Sequence, residues 1–502
     1  MSQAANPYSR LMGIYREVAL LESCSSLLQW DQETFMPGRG VDHRAEQLAL
    51  LAGLAHRRFT DPLVGELLAA CENGPAAPGP AESVNLREIR RKYDKKTRLP
   101  CRLVEELAQT TTQAHPAWVE ARKKSDFGSF SPWLKKIVAL KREQAQALGW
   151  QDSPYDPLVD DFEPGETESS LSAIFSELCR GLAPLIEKIA DSGRDPDTSF
   201  LSGIYPVKRQ QEFGRDAAAA CGFDFSSGRL DEVVHPFCTG IGPGDTRITA
   251  SFDSSDFCRA FFGILHEAGH GMYDQGLDPE HYGAPLGEAV SVGLHESQSR
   301  IWENFVGLSR PFWEHFLPRA RAAFPEALGR VSLDSFLRAV NRVAPSFIRI
   351  EADELTYNLH VILRFELESL LISGELDPAE VPAAWNERFR QLLGVEVPDD
   401  RRGCLQDTHW SNGIFGYFPT YCLGNLYAAQ FFAKARRDIP GLDSSFARGS
   451  FSDLLAWLRE NIHCHGMRFR AGELVEKATG KPLSTELLLA YLQEKYTALY
   501  NL

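Results

Sequence analysis

The chain has 502 residues, of which 43% are hydrophobic, and it carries a formal net charge of −15. It can therefore bury a large core, and length alone would allow two or three domains. The acidic balance argues against nucleic acid as a partner, because phosphate binding needs a basic face. No apolar run approaches the roughly 18–20 residues that span a bilayer, so no membrane partner is expected.

The N-terminal residues show no basic segment followed by an apolar one, so we expect no secretory signal. Ten cysteines are scattered along the chain, and none forms a CxxC pair. In a large chain without a signal, this usage is typical of reduced thiols in a cytoplasmic protein.

Most of the chain has the apolar periodicity of helices, beginning with Leu20–Leu28 and Ala45–His56. Glycine and proline mark Gly74 to Pro80 as a surface loop, and helical texture resumes beyond it. The pattern predicts a mainly α fold with residues 1–502 as a single domain. Further helices are predicted over 101–124, 132–147, 168–191, 207–221, 256–274, 288–307, 311–323, 350–373, 380–394, 425–437, 450–461 and 484–499.

Residues 222–255 differ from the rest, since they carry little helical period. Apolar and polar residues alternate over Thr246–Phe252, and a glycine-rich turn lies at Gly240–Gly244. These features predict a small antiparallel sheet immediately before the next helix. The edge of such a sheet can hydrogen-bond an extended peptide backbone.

The predicted helix 256–274 contains His266, Glu267 and His270 in the pattern HExxH. Two imidazoles four residues apart lie on one face of a helix and can bind one Zn²⁺. Glu267 stands beside the first ligand and can accept a proton from metal-bound water. Gly263, Gly269 and Gly271 weaken the helix, which indicates close approach by another backbone or a ligand.

A catalytic zinc takes three protein ligands and keeps one position open for water. Glu288, His295 and Glu296 are the downstream candidates. If residues 288–307 form one helix, the two carboxylates lie about 80° apart, so at most one of them faces the metal. The residues themselves leave the choice between Glu288 and Glu296 open.

Motifs along nearly the whole chain resemble the carboxypeptidase Taq family of metallocarboxypeptidases. Each motif alone is weak, but their order and the spacing from His270 to Glu296 are specific. The motifs are Leu27–Pro37, Arg44–Ala49, His235–Phe237, Asp245–Thr249, His266–His270, His295–Arg300, Ile348–Asp353 and Gly403–Trp410.

The resemblance implies a large helical peptidase fold with a long substrate groove, and a homodimer. It implies removal of C-terminal residues from peptides with broad specificity. It assigns His266, His270 and Glu296 to the metal and Glu267 to the general base. Zinc is the expected metal, with cobalt as an alternative. Glu288 and His295 then become supporting residues, and Asp353 or Glu288 is expected to orient a ligand imidazole.

Substrate contacts are predicted for five further residues within or near the motifs. An enzyme that acts at a peptide's C-terminus must recognise a free carboxylate, which arginine binds through a planar fork. Arg349 and Arg247 are preferred over Arg300 for this role, and a structural salt bridge is the alternative for either. The set is His235, Arg247, Arg349, His409 and Tyr421.

His409 and Tyr421 are candidates to stabilise the oxyanion that forms at the scissile carbonyl. A buried structural role is the alternative for His409. HExxH is also shared by endopeptidases and oligopeptidases, which the sequence does not exclude. A helical binding protein with a structural metal is disfavoured, because a closed site would usually have four protein ligands.

Overall fold

Helices dominate the computed structural model, which describes residues 6–74 and 79–502. Four of them precede residue 99 and form what we call the N-terminal layer; residues 99–502 are the main body. The layer consists of α1 (Pro7–Thr34), α2 (Val41–Phe59), α3 (Pro62–Glu72) and α4 (Pro80–Arg98).

The main body holds the sheet and the remaining helices. Before the sheet come α5 (Cys101–Lys124), α6 (Phe127–Leu148), α7 (Asp156–Val159), α8 (Glu168–Asp191) and α9 (Val207–Cys221). After the sheet come α10 (Phe257–Asp274), α11 (Val292–Arg300), α12 (Arg310–Ala323), α13 (Pro325–Leu328), α14 (Leu333–Val340), α15 (Tyr357–Ser373), α16 (Val381–Leu393), α17 (Phe418–Asp438), α18 (Leu442–Ala447), α19 (Ser452–Asn461), α20 (Ala471–Thr479) and α21 (Glu486–Tyr500).

The layer and the main body have separate hydrophobic cores. Leu11, Ile14, Leu67 and Ile89 belong to the smaller core, which lies entirely within the N-terminal layer. The larger core extends from α5 to α21 and includes the buried faces of α10, α11 and α17. The helix that carries HExxH is therefore fixed in the larger core.

Three strands form the sheet, in the order β1 (Gly228–Glu232), β3 (Asp245–Ala250), β2 (Cys238–Gly242). The predicted position before the HExxH helix is confirmed, but the prediction of a purely antiparallel sheet is wrong. β2 pairs with β3 antiparallel, because a short turn containing Gly244 at φ +82° joins them. β1 is not joined directly to β3 and pairs with it in parallel.

The sheet lies between α10 and α1. A Cβ atom added to Gly271 of α10 would lie 3.2 Å from the Ile248 side chain, so Ile248 faces the HExxH helix. On the opposite face, the Arg247 guanidinium lies 4.1 Å from the centre of the Trp30 ring of α1. One face of β3 thus supports the candidate metal site, and the other holds the N-terminal layer.

Most predicted helices are confirmed, with shifted ends. The predicted helix 288–307 is wrong at its start, because residues 285–287 form a 3₁₀ turn and Glu288 is extended at φ −112°, ψ 154°. The helix begins at Val292, and Ile301–Gly307 continues it as a π-helix. The predicted helix 350–373 begins only at Tyr357. In the predicted loop 74–80, residues 75–78 lie outside the described residues.

Within residues 6–74 and 79–502, no helix is both long and apolar enough to cross a bilayer. The ten cysteines all lie in this part of the chain, and each has a free thiol.

Candidate active site

Asp256 caps the N-terminus of α10. Its carboxylate accepts hydrogen bonds from the backbone N–H groups of Cys258 (2.8 Å) and Arg259 (3.2 Å). This cap satisfies donors that the first turn leaves open. The helix then runs without a break through His266, Glu267 and His270.

α11 is held at its first turn by Glu163. Ser291 caps the helix by accepting from Leu294 N–H (3.0 Å) and donates its hydroxyl to Glu163 (2.8 Å). Gly293 N–H also donates to the Glu163 carboxylate (2.9 Å). A buried carboxylate at a helix N-terminus complements the helix dipole. Glu163 therefore fixes the helix that carries Glu296.

Glycines bring α11 close to its neighbours. A Cβ atom at Gly269 of α10 would lie 2.6 Å from Ser299 Cα, and one at Gly424 of α17 would lie 2.5 Å from Glu296 Cγ. Of the three glycines predicted to allow close approach, Gly269 meets a backbone and Gly271 meets Phe223 and Ile248. Gly263 has nothing within 4 Å among the described residues.

This packing brings His266, His270 and Glu296 together, with ligand atoms that all lie within 4.8 Å of one another. Glu296 Oε2 lies 3.7 Å from His266 Nε2 and 3.5 Å from His270 Nε2. A tetrahedral zinc with bonds of about 2.0–2.1 Å places its ligand atoms about 3.3–3.4 Å apart. The donor set and its spacing therefore fit a zinc ion.

The other oxygen of Glu296 is occupied. Arg300 Nε donates to Glu296 Oε1 at 2.7 Å, and the Arg300 side chain also reaches Glu303 at 3.2 Å. Burial opposes ionisation of Glu296, but Arg300 and the two imidazoles hold its pKa well below the usual range. Glu296 is thus a carboxylate with one oxygen directed at both imidazoles.

Both imidazoles are bound at the ring nitrogen that faces away from Glu296. His266 Nδ1 lies 2.8 Å from Glu303 Oε2, and His270 Nδ1 lies 2.5 Å from His295 Nδ1. His295 Nε2 in turn lies 3.0 Å from Asp274 Oδ1. The prediction that His295 supports the site rather than facing the metal agrees with this geometry.

Glu267 projects from α10 beside the ligands and is only 7% exposed. No hydrogen bond to its carboxylate is present among residues 6–74 and 79–502. Burial raises its pKa to about 7. A carboxyl group with this pKa and without a bound donor is suited to exchange a proton near neutral pH.

Glu288 and Asp353 do not lie beside the ligand imidazoles, so the expectation that one of them orients a ligand is wrong. Tyr15 Oη donates to Glu288 at 2.6 Å, and Lys92 pairs with the same carboxylate. Asp353 accepts from the residues that immediately precede α15, including Thr356 Oγ1 at 2.7 Å. Both side chains are bound elsewhere because residues 288–291 are not helical and Asp353 precedes α15.

Arg349 lies in a buried cluster with Asp407 and Arg364. Its Nη2 donates to Asp407 Oδ1 at 2.9 Å, and Arg364 Nε donates to Asp407 Oδ2 at 2.6 Å. Burial disfavours the Asp407 charge, but the two guanidinium groups hold its pKa far below the usual range. Two cations share one anion, and Arg364 Nη2 has no hydrogen-bond partner in the described part of the chain.

Tyr357 connects this cluster to the candidate metal site. Arg349 Nη1 donates to Tyr357 Oη at 2.9 Å, and the Arg300 guanidinium lies 4.5 Å from the centre of the same ring. Arg300 holds Glu296, so one tyrosine ring separates the Arg349 cluster from the side chains around the candidate third ligand.

His409 and Tyr421 lie beside the same cluster. The Arg349 guanidinium lies 4.7 Å from the centre of the Tyr421 ring, and His409 Nε2 lies 3.4 Å from Tyr421 Oη. Burial lowers the pKa of His409 to about 4. At neutral pH the imidazole is therefore uncharged and can donate one N–H.

The other two predicted substrate contacts lie near the sheet. Arg247 forms a two-point ion pair with Asp245 at 2.8 and 2.7 Å and stacks on Trp30. His235 is exposed in the link between β1 and β2. The structure brings Arg349, His409 and Tyr421 together and leaves Arg247 and His235 outside that group.

Sequence reasoning missed five side chains of the site: Asp274, Glu303, Tyr357, Arg364 and Asp407. Two of them had a usable signal. Glu303 follows Glu296 and Arg300 at helical spacing, and Asp274 lies four residues after His270. The remaining three depend on contacts between distant parts of the chain, although Asp407 lies within the motif Gly403–Trp410.

Known proteins resemble this chain over nearly its whole length. Residues 10–496 match the family Carboxypeptidase Taq (M32) metallopeptidase. The chain belongs to this family. It is 49% identical to thermostable carboxypeptidase 1 of Thermus thermophilus, covering 98% of this chain and 99% of that one. It is 38% identical to carboxypeptidase 1 of Bacillus subtilis, covering 97% and 98%.

The fold of this M32 carboxypeptidase is also that of solved structures. The M32 carboxypeptidase from Deinococcus radiodurans superposes with a TM-score of 0.96 at 41% identity, covering 99% of this chain and all of that one. A Pyrococcus furiosus carboxypeptidase gives 0.95 at 34% identity. The protein is a carboxypeptidase of the M32 metallopeptidases, and the family implies a metal ion.

Proposed function

We propose that this carboxypeptidase binds zinc through His266, His270 and Glu296 and uses Glu267 as its general base. The proposal rests on the approach of both Nε2 atoms to one Glu296 oxygen. Glu267 projects beside them, and its carboxylate has no hydrogen-bond partner in the part of the chain that the structure describes. Zinc held there supplies Lewis acidity, which lowers the pKa of a bound water towards about 7. Cobalt fits the same donor set.

Glu267 accepts the proton of the attacking water and later delivers it to the leaving amine. Its burial raises the pKa of the carboxyl group to about 7, which suits both transfers. Because Glu267 is not bound by a protein donor in the described residues, no hydrogen bond has to break before it acts.

Arg349 anchors the terminal carboxylate of the peptide in this proposal. Arg349 and Arg364 together carry one positive charge more than Asp407 neutralises, and the cluster is buried. A substrate carboxylate supplies the missing anion, and a buried charge-assisted pair binds it strongly. The Tyr357 ring fixes the anchor close to the Glu296 side of the site.

His409 and Tyr421 are proposed to donate hydrogen bonds to the oxyanion at the scissile carbonyl. The neutral His409 imidazole and the Tyr421 hydroxyl lie next to Arg349, at the end where the terminal residue would bind. Preorganised donors of this kind stabilise developing charge without reorganisation. We assign Arg247 to support of the sheet and leave His235 as an exposed candidate at the groove.

The substrates proposed are peptides with a free C-terminus, cleaved with broad specificity in a long groove. A single catalytic domain over residues 1–502 and a homodimer are part of the same proposal. The nearly complete coverage of the relatives supports the single domain, and the homodimer rests on the resemblance alone.

The test is Glu267→Gln, measured together with the zinc content of the purified enzyme. The amide keeps the size of the side chain but cannot accept the proton, so we expect kcat to fall by about 10³-fold or more. One zinc per chain should remain bound. Full activity in this variant, or loss of the metal together with activity, would reject the role of general base.

An endopeptidase activity in the same site is the second candidate that HExxH allows. The position of the Arg349 cluster favours cleavage at the chain end, because only the Tyr357 ring separates the cluster from Arg300, which binds Glu296. A peptide with an amidated C-terminus separates the two, because an endopeptidase would still cut it.

A further inference from the structure

We propose that His295 and Asp274 act in series as positioning residues for His270, while Glu303 positions His266 independently. This inference rests on the proposed metal site and goes beyond it. It identifies which groups orient the two imidazoles, and it predicts which pairs of substitutions combine and which do not.

The first support is an unbroken line of contacts from Asp274 to His270. Asp274 Oδ1 lies 3.0 Å from His295 Nε2, and His295 Nδ1 lies 2.5 Å from His270 Nδ1. The two imidazole rings lie side by side, with centroids 4.6 Å apart and planes 29° apart. His270 Nε2 is then the nitrogen that faces Glu296 at 3.5 Å.

The positions of the protons follow from this order. A nitrogen that coordinates a metal carries no proton, so neutral His270 keeps its proton on Nδ1 and donates it to His295 Nδ1. His295 must therefore carry its own proton on Nε2. Asp274, as a carboxylate, can only accept, and it accepts the hydrogen bond from His295 Nε2–H. Each bond in the line requires the next one to have this direction.

Strand β2 and α10 hold Asp274 in place. A Cβ atom at Gly240 would lie 3.0 Å from Asp274 Oδ2, and the Cys238 thiol lies 3.9 Å from the same oxygen. The Tyr273 ring lies against His295 with centroids 5.2 Å apart. The sheet therefore has a second task besides packing: it supports the carboxylate that fixes the tautomer of His295.

His266 is oriented by a different chemistry. Its Nδ1 contacts Glu303 Oε2 directly at 2.8 Å, and Arg300 Nη1 binds the same oxygen at 3.2 Å. Glu303 lies on the π-helical segment Ile301–Gly307, a type of helix often found at functional sites. One imidazole thus donates to an anion and the other to a neutral ring, and the two lines share no side chain.

The experiment measures the affinity for Zn²⁺ alone, by competition with a chromogenic chelator. Removal of a partner that orients a ligand typically weakens metal binding by about 10–100-fold, and we expect this for His295→Phe and for Glu303→Gln. Asp274→Ala should weaken binding by less than or as much as His295→Phe. His281→Phe, a histidine outside the site, is the control and should keep the wild-type affinity.

The double variants decide the order of the contacts. Asp274→Ala combined with His295→Phe should bind zinc as His295→Phe alone does, within about twofold, because Asp274 acts only through His295. Glu303→Gln combined with His295→Phe should show the product of the two single losses. Multiplying losses in the first pair, or wild-type affinity in His295→Phe, would overturn the proposal.

A spectroscopic measurement on the wild-type enzyme tests the proposal even if the variants fold poorly. Nitrogen NMR of the wild-type zinc enzyme should show His295 protonated at Nε2 and bare at Nδ1; the opposite tautomer would overturn the proposal. His270→Ala provides the reference for the metal site. If His270→Ala kept full zinc affinity, both the metal site and the positioning role of His295 and Asp274 would be rejected. If His270→Ala lost zinc affinity but His295→Phe did not, only the positioning role would be rejected.

Discussion

The N-terminal layer and the main body bury their apolar residues in separate cores, but the candidate catalytic groups all lie in the main body. Its larger core surrounds the Glu296–Arg300–Glu303 group and the Arg349–Asp407–Arg364 cluster. The layer has a small apolar core whose buried members lie between Leu11 and Ile89. Charged groups that must keep a fixed geometry are thus placed where the surrounding packing is most extensive.

Polar contacts fasten the layer to the main body. Glu288 accepts from Tyr15 and pairs with Lys92, Ser23 Oγ donates to Ile241 O at 2.6 Å, and Arg87 donates to Met467 O at 2.8 Å. Such half-exposed contacts contribute little each, on the order of 1 kcal/mol or less. The candidate catalytic groups are therefore positioned by the packing of the main body, and each single contact with the layer adds little to it.

The largest effect on kcat/KM in this comparison is expected for Arg349 of the main body, and a much smaller one for Arg247, which contacts the layer. Arg349→Ala removes the proposed anchor, and loss of one partner of a buried charge pair costs about 2–5 kcal/mol. The value of kcat/KM for free-acid peptides should therefore fall by at least about 30-fold. Peptide amides, measured in parallel by product release, should be affected far less.

Arg247→Ala is the matched control, since Arg247 stacks on Trp30 of the layer and pairs with Asp245. It should change the rates for free acids and amides by the same small factor. Equal losses for the two substrates in Arg349→Ala, or a selective loss in Arg247→Ala, would transfer the anchor to the other arginine.

The next prediction concerns the stability of the fold at low pH, because the main body buries neutral histidines whereas the histidines of the layer are exposed. Burial lowers the pKa of His463 to about 3, below the unfolded value near 6.5. A depressed histidine pKa stabilises the fold above pH 6.5, and this stability is lost as the pH falls from 6.5 towards 3. At pH 4 the loss is about 3 kcal/mol, at about 1.4 kcal/mol per pKa unit.

His463→Gln keeps a donor for Gln298, which His463 contacts at 2.9 Å, and should flatten this slope. The free energy of unfolding is measured between pH 7 and pH 4 with a chelator present, so that metal release does not contribute. His56→Gln in the exposed part of the layer should leave the slope unchanged. A slope that stays as steep in His463→Gln as in the wild type would contradict the assignment.

The smallest effect is expected at the contact between the two regions. Lys92→Met removes the charge that pairs with Glu288 and should weaken the attachment of the layer by about 1 kcal/mol or less. Hydrogen exchange should become faster in α1–α4 and stay unchanged in α10 and α11. Faster exchange in α10 would show that the two regions open together.

The helices could be predicted from periodicity because each has its own apolar face, as α8 and α9 show by matching at both ends. The HExxH ligands could be predicted because they lie within one helix. The parallel pairing of β1 could not, since it depends on the path of a link and not on strand composition. The same holds for His266 and Glu303, which meet across 37 positions of the chain.

Glu288 shows how an incorrect helix boundary affects a site prediction. The angle of about 80° between Glu288 and Glu296 assumed that residues 288–307 form one helix. Instead, Glu288 is extended and bound to Tyr15 of the layer. The resemblance selected Glu296, and the packing of Gly269 and Gly424 explains why this carboxylate reaches the imidazoles.

The most direct test of the account is mass spectrometry of the products from one peptide, offered as the free acid and as the C-terminal amide to zinc-quantified enzyme. We expect stepwise release of single residues from the free acid and much slower turnover of the amide, because the Arg349 cluster needs a carboxylate. Internal cleavage, or equal turnover of the amide, would contradict it.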